Sequence, residues 1–216
     1  PESKPDALIY VADVNNIRRN LYFCTQLLEL DIPTILLLNM NDILIEENKF
    51  DYIKLKEELN ILNVIPFSAV THEGLNTLKD TLTDLFDNPT EFINSKMSIN
   101  ENILDSMNPL LESIESIFHI KNELRNNVSL RFLCNPSHIS NISLNSTDKE
   151  NFNKAVDSSM NLIDNDMKPL LSTLESDLRY GWIDQILISC SFKKIRVIEK
   201  KTKSEKIDNI LTHSWI

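Results

Sequence analysis

Glycine is almost absent: Gly74 and Gly181 are the only two among 216 residues. Phosphate cradles of the GxxxxGK[ST] or GxGxxG kind need several residues without a side chain in one turn, and neither pattern is written in this chain. Cysteine is sparse as well. Cys24, Cys134 and Cys190 are odd in number and far apart, no CxxC pair occurs, and the four histidines at 72, 119, 138 and 213 are scattered. Zinc sites draw on closely spaced ligand pairs, so the thiols read as small buried hydrophobes instead. No apolar run approaches the ~20 residues of a spanning helix. Positive charge is also short, with 22 Lys and Arg against 32 Asp and Glu and a net charge of -10. Nucleic-acid binding runs on clustered cations, so this balance speaks against DNA or RNA as a partner. The amino end, PESKPDALIYVADV, is broken by Asp13 and has no basic region before its apolar stretch, unlike a secretory signal. It opens on Pro1 rather than Met, from which we expect a start inside a longer protein.

What is present has a clear order. Short continuous apolar runs end at Asp13 (from Ala7), at Asn39 (from Pro33) and at Ser68 (from Val64). Between and after them, residues 20–30, 51–62 and 75–86 carry apolar positions at helical spacing. Continuous apolar strands alternating with helices predict an α/β domain with a parallel sheet, three strands near 6–12, 34–38 and 64–67. The 6–12 strand is expected at a bare edge, exposing Ile9 and Val11. Ligands of such sheets bind at the carboxyl ends of strands, where Asp13, Asn39 and Ser68 fall. Asp13 reads better as a cap than as a metal ligand. Arg18 and Arg19 read as a solvated helix start, or as groups reaching a phosphate or partner.

Asn88-Pro89 ends this region, and a boundary is expected near 90–100. Helical spacing then covers 101–125, about 149–165 and 167–190, with Leu110, Leu111, Ile114, Ile117 and Phe118 on one face. Residues 135–147 are polar and read as a loop. The chain therefore divides into 1–90, a mainly helical 91–192, and a tail 193–216. Residues 193–206 hold seven basic residues against Glu199 and Glu205. That tail fits a solvated linker, and equally a flank held at anionic lipid beside a membrane span.

Asn39-Met40-Asn41-Asp42, placed after an apolar strand, is similar to the NxxD guanine-specificity motif of GTPases. Such a motif needs a carboxylate to accept from the N1–H and exocyclic amine of guanine, and an amide beside it. Asp42 and Asn39 would take those roles, while a plain turn cap at Asp42 stays open. Ser68-Ala69, after the third run, resembles the second base-contacting loop, in which the Ala69 N–H would meet the guanine O6. Val70 stands where Lys is usual, and Gly74 and Leu78 continue the pattern.

The wording between these motifs resembles the ferrous-iron transport protein B family. It includes Pro5-Asp6-Ala7, Asp13 with Arg18-Arg19-Asn20-Leu21-Tyr22, Gln26 to Pro33, Leu38 to Asp42, Arg179-Tyr180, and Ile207 to His213. The resemblance implies the carboxyl-terminal half of a P-loop GTPase-type sheet followed by a helical domain. The phosphate loop, the switches and Mg²⁺ binding would precede Pro5, and a membrane domain would follow Ile216. The family's GTP binding and hydrolysis, on the cytoplasmic face of the cell membrane, would regulate Fe²⁺ passage. The resemblance implies GTP or GDP contacts through the base only, at Asn39, Asp42, Ser68, Ala69 and Val70, and no hydrolysis by this soluble fragment alone. The implied partners are guanine nucleotide and the membrane domain of the same protein. A nucleotide-independent protein-interaction module is the alternative.

Overall fold

A computed structural model describes residues 5–44, 51–89, 93–120 and 122–190. The basic tail at 193–206 lies outside the described residues. Three parallel strands, β1 (Leu8–Asp13), β2 (Thr34–Asn39) and β3 (Asn63–Pro66), form a sheet in the order β1-β2-β3. Leu8 stands opposite Thr34 and Asp13 opposite Asn39, while Ile35 faces Asn63 and Leu38 faces Pro66. The expected α/β parallel sheet is therefore present. β2 is central, which is why five of its six residues are buried apolar or threonine and the run shows no alternation.

Helices α1 (Ile17–Leu28), α2 (Tyr52–Leu59) and α3 (Leu75–Asp87) connect or follow the strands. One face of the sheet, with Ala12, Leu36, Leu38 and Val64, packs with Leu21, Cys24 and Leu28 of α1 and with Leu55 and Leu59 of α2. The other face, with Ile35, Leu37 and Ile65, packs with Leu78 and Leu82 of α3. In register with Ile35 and Leu37, Ile9 and Val11 of β1 belong to this second face but stay 47% and 55% exposed. The edge expected to be bare exposes both residues.

Beyond residue 93 the chain is helical: α4 (Glu101–Ser106), α5 (Asn108–Phe118), α6 (Asn122–Cys134), α7 (Ser146–Leu162) and α8 (Leu171–Cys190). The single helix expected over 101–125 is broken twice. Pro109 brings no N–H and crowds the preceding turn, so the chain restarts at Asn108. His119 then takes a left-handed φ of 55° and ends α5. α7 starts three residues earlier than its spacing predicts, because the Asn145 side chain caps it by accepting from the Asp148 N–H at 2.8 Å. Phe132 stacks on Phe118 and meets Phe152 edge-on in the core of this layer.

α8 belongs to both layers. Leu171 and Leu174 lie in the helical core, Ile183, Ile186, Leu187 and Cys190 in the sheet core, and Trp182 touches each. Its middle carries a buried charge network. Arg179, fully buried, donates to Glu29 and Glu175 at 2.7 Å each and to the Thr25 hydroxyl at 3.2 Å. Arg131 of α6 donates to the other Glu29 oxygen at 2.6 Å, and the Tyr22 hydroxyl donates to Glu175 at 2.8 Å. Arg18 forms a two-pronged pair with Asp184 (2.6 and 2.9 Å) and lies over the Tyr180 ring. Arg18 stands exposed at the start of α1, and its pair with Asp184 clamps α1 to α8. No helix among the described residues is long and apolar enough to cross a membrane.

Candidate functional site

The carboxyl ends of the three strands lie side by side, as the parallel register requires. At the end of β1, Asp13 accepts from the Asn15 N–H at 2.8 Å and from the Asn16 side chain at 2.7 Å. It is the cap of the next turn, and its oxygens are engaged in that role. Among the described residues no group of three or more His, Cys, Asp or Glu is placed to hold a metal ion. Burial pushes the Cys24 thiol up to about 12, which leaves it a core hydrophobe rather than a nucleophile.

At the end of β2 the chain turns sharply. Met40 takes a left-handed φ of 66°, and residues Asn41–Ile43 make a single 3₁₀ turn. Non-glycine residues adopt that conformation only where neighbours hold them there. The holding groups are the amides on either side of Met40. The Asn39 side-chain oxygen accepts from the Ala69 N–H at 3.1 Å. The Asn41 backbone N–H donates to the Phe67 carbonyl at 3.1 Å, after Phe67 N–H has donated to Leu38 at 2.9 Å. Sheet pairing thus runs on past β2 and β3 and stitches the two loops together.

The second loop is organised from within. Ser68 is buried; its N–H donates to the Glu73 carbonyl at 3.2 Å and its hydroxyl accepts from the Thr71 N–H at 3.1 Å. Val70 is 84% exposed at the tip. Gly74 closes the loop and opens α3 at a φ of +80°.

The residues expected to meet a guanine base therefore separate into roles. Asn39 and Ala69 bond to each other, Ser68 supports the loop from behind, and Asp42 and Val70 face solvent. Asp42 does not cap the turn: the cap position belongs to Met40 and makes no side-chain bond. An acceptor placed at the Ala69 N–H would have to share it with Asn39. A carboxylate open to solvent beside a structured amide can accept from two adjacent N–H donors of a flat ring. Asn41, Tyr52 and Glu73 also join this site, unannounced by the sequence. The Asn41 amide donates to Glu73 at 3.1 Å and accepts from the Tyr52 hydroxyl at 2.9 Å.

Residues 1–82 match the family model described as ferrous iron transport protein B. The Fe(2+) transport protein A/Fe(2+) transporter FeoB fusion protein of Porphyromonas gingivalis is 29% identical over 231 residues, covering 98% of this chain and 25% of that protein. The Fe(2+) transporter FeoB of Escherichia coli is 40% identical over 80 residues, covering 34% of this chain and 10% of that protein. The chain thus spans a quarter or less of the relatives it matches. Among solved structures, the cytosolic domain of L. pneumophila FeoB aligns with a TM-score of 0.64 at 24% identity, over 89% of this chain and 70% of that one. The mGMPPNP-bound NFeoB from S. thermophilus aligns with a TM-score of 0.64 at 18% identity, over 88% of this chain and 69% of that one. Both likenesses bear on the fold.

Proposed function

We propose that this chain, whose residues 1–82 match the ferrous iron transport protein B family model, is a member of that family and supplies the guanine-recognition surface of a GTP-regulated Fe²⁺ membrane transporter. Residues 1–90 carry the base-contacting loops, 91–192 are the regulatory helical domain, and 193–216 link toward a membrane domain at the cytoplasmic face. One observation carries the reading. The Asn39–Ala69 bond joins the NxxD turn to the Ser68-Ala69 loop, and it leaves the Asp42 carboxylate turned to solvent. In this reading Asp42 accepts from the N1–H and exocyclic amine of guanine, with Asn39, Ala69 and Val70 around the base edge and Ser68 buried behind them, shaping the loop.

The sequence contains no GxxxxGK[ST] cradle, so the contacts available here reach the base and not the phosphates. Catalysis by this class of protein is positioning and charge neutralisation at the phosphates, and no hydrolysis is expected from these residues alone. GDP should bind the chain with a Kd of about 1 mM or weaker, corresponding to ~4 kcal/mol or less. Calorimetry on the purified chain measures it, and micromolar binding contradicts base-only recognition. In a protein that carries the phosphate loop, Asp42→Asn should lose preference for GDP over ADP, because an amide N–H then faces the donors of guanine.

A protein partner is the second reading, and the exposure of Ile9 and Val11 beside β1 favours it. An open parallel edge flanked by apolar side chains is a template for another strand. The same calorimetry separates the two, since a pure interaction module shows no preference for GDP over ADP at any concentration.

A further inference from the structure

Between the two halves of the NxxD turn lies a residue to which the motif assigns nothing. Asn41 is half-buried, and its side chain bridges two segments distant in sequence: Tyr52, at the start of α2, and Glu73, at the end of the second loop. The amide orientation is dictated by its partners. A Glu73 carboxylate only accepts, so the amide nitrogen must face it; the remaining oxygen then faces the Tyr52 hydroxyl, which donates. Burial, and after it the Glu73 charge, raise the Tyr52 hydroxyl above its ordinary 10.0, which keeps that donor protonated.

The brace is anchored at its far end. The Asp51 N–H donates to the Cys190 carbonyl at the end of α8 at 2.8 Å, and the Asp51 carboxylate caps α2 through the Lys54 N–H at 2.9 Å. Tyr52 is therefore delivered from a fixed point in the sheet core, not from a swinging loop. Glu73 is fixed in turn by its own carbonyl, which accepts from the Ser68 N–H. With the Asn39–Ala69 bond on one side of Met40 and these two on the other, the left-handed turn before Asp42 is held from both sides.

We propose that Tyr52 and Glu73 are positioning residues for guanine recognition, acting through Asn41 to set the turn that aims Asp42. This rests on the base-recognition reading above. Without the brace, Met40 relaxes from its left-handed conformation and Asp42 samples directions that miss the base. The consequence falls on selectivity for the exocyclic amine, the group that distinguishes GMP from IMP.

The test is an NMR titration of the full chain with millimolar GMP and IMP, comparing their Kd values. Tyr52→Phe keeps the ring and loses one hydrogen bond, and should reduce the GMP preference by about fivefold or bring it to none. Asn41→Asp keeps the size but sets two carboxylates against each other, and should do the same. Adding Glu73→Gln to Asn41→Asp restores a donor facing an acceptor, and should recover the wild-type preference within about twofold. Recovery is the decisive arm, because a general loss of folding is not repaired by a second substitution of this kind. Unchanged preference in Tyr52→Phe and Asn41→Asp, or no recovery in the double variant, overturns the inference. A wild-type chain with no preference for GMP fails earlier, at the base-recognition reading itself.

Discussion

A methyl group added at Gly74 would meet the Pro66 carbonyl oxygen at 2.4 Å and Ile65 Cγ2 at 2.9 Å, on a backbone with φ of +80°. Neither the carbonyl nor the left-handed turn yields easily, so Gly74→Ala should cost about 2–4 kcal/mol. At Gly181 the same methyl group meets nothing within 4 Å on the exposed side of α8. Gly181→Ala should therefore stabilise by about 0.5–1 kcal/mol, as alanine does in a helix interior. Urea unfolding of the two variants checks both signs. At this scale the sequence was readable where a residue's role is local. Asp13, Asn39 and Ser68 stood out at the ends of apolar runs, and Asp42 through its place in the NxxD motif that Asn39 opens. Asn41 did not, because its partners lie 11 and 32 residues away and only the fold brings them together. The pairing of Arg18 with Asp184 stayed hidden for the same reason, since the two lie 166 residues apart.

At the scale of elements, the joint between α1, α6 and α8 rests on charge that has left water. Arg179 is the sole cation reaching Glu29 from α8, and Glu29 is only 1% exposed. Arg179→Leu should cost about 3 kcal/mol, since it takes one of two cations from a buried carboxylate and leaves Arg131 alone to hold it, rather than removing a surface pair. Thermal unfolding measures it, and a loss under 1 kcal/mol contradicts the account. For Glu175, burial alone would raise the carboxyl pKa. The Arg179 charge, with bonds from Tyr22 and Arg179 and the charge of Arg131, holds it below its ordinary 4.5 instead. A carboxyl depressed in the folded state adds stability that is complete above its unfolded pKa and lost as pH falls through the lower folded one. Glu175→Gln should therefore flatten the decline of stability below about pH 4.5, measured by denaturant unfolding across the acid range. Helical periodicity revealed α5, α7 and α8 because each keeps an apolar stripe. It joined α4 to α5 because one apolar face runs through Pro109, and it missed α6, whose inward positions include the buried polar residues Asn127 and Ser129.

Across the whole molecule, the sheet is covered unevenly. α1, α2 and α8 close one face, whereas on the other α3 covers β2 and β3 and leaves β1 exposed through Ile9 and Val11. Val11→Lys should reduce self-association at high concentration while changing stability by less than about 0.5 kcal/mol, because the position is already in water. Light scattering and unfolding curves on one preparation test both halves. The layout of strands before helices was legible, since buried parallel strands and amphipathic helices carry different periods. The shared core was not, because nothing in the spacing of α8 says that its second half serves a different layer from its first. That arrangement also sets a timetable. Ile183, Ile186 and Leu187 are made more than 150 residues after the Leu21, Cys24 and Leu28 they share a core with. At ordinary rates of synthesis the interval is on the order of ten seconds. Throughout it the apolar face that α1, α2 and the sheet present to α8 has nothing to pack against, so this half of the core closes last.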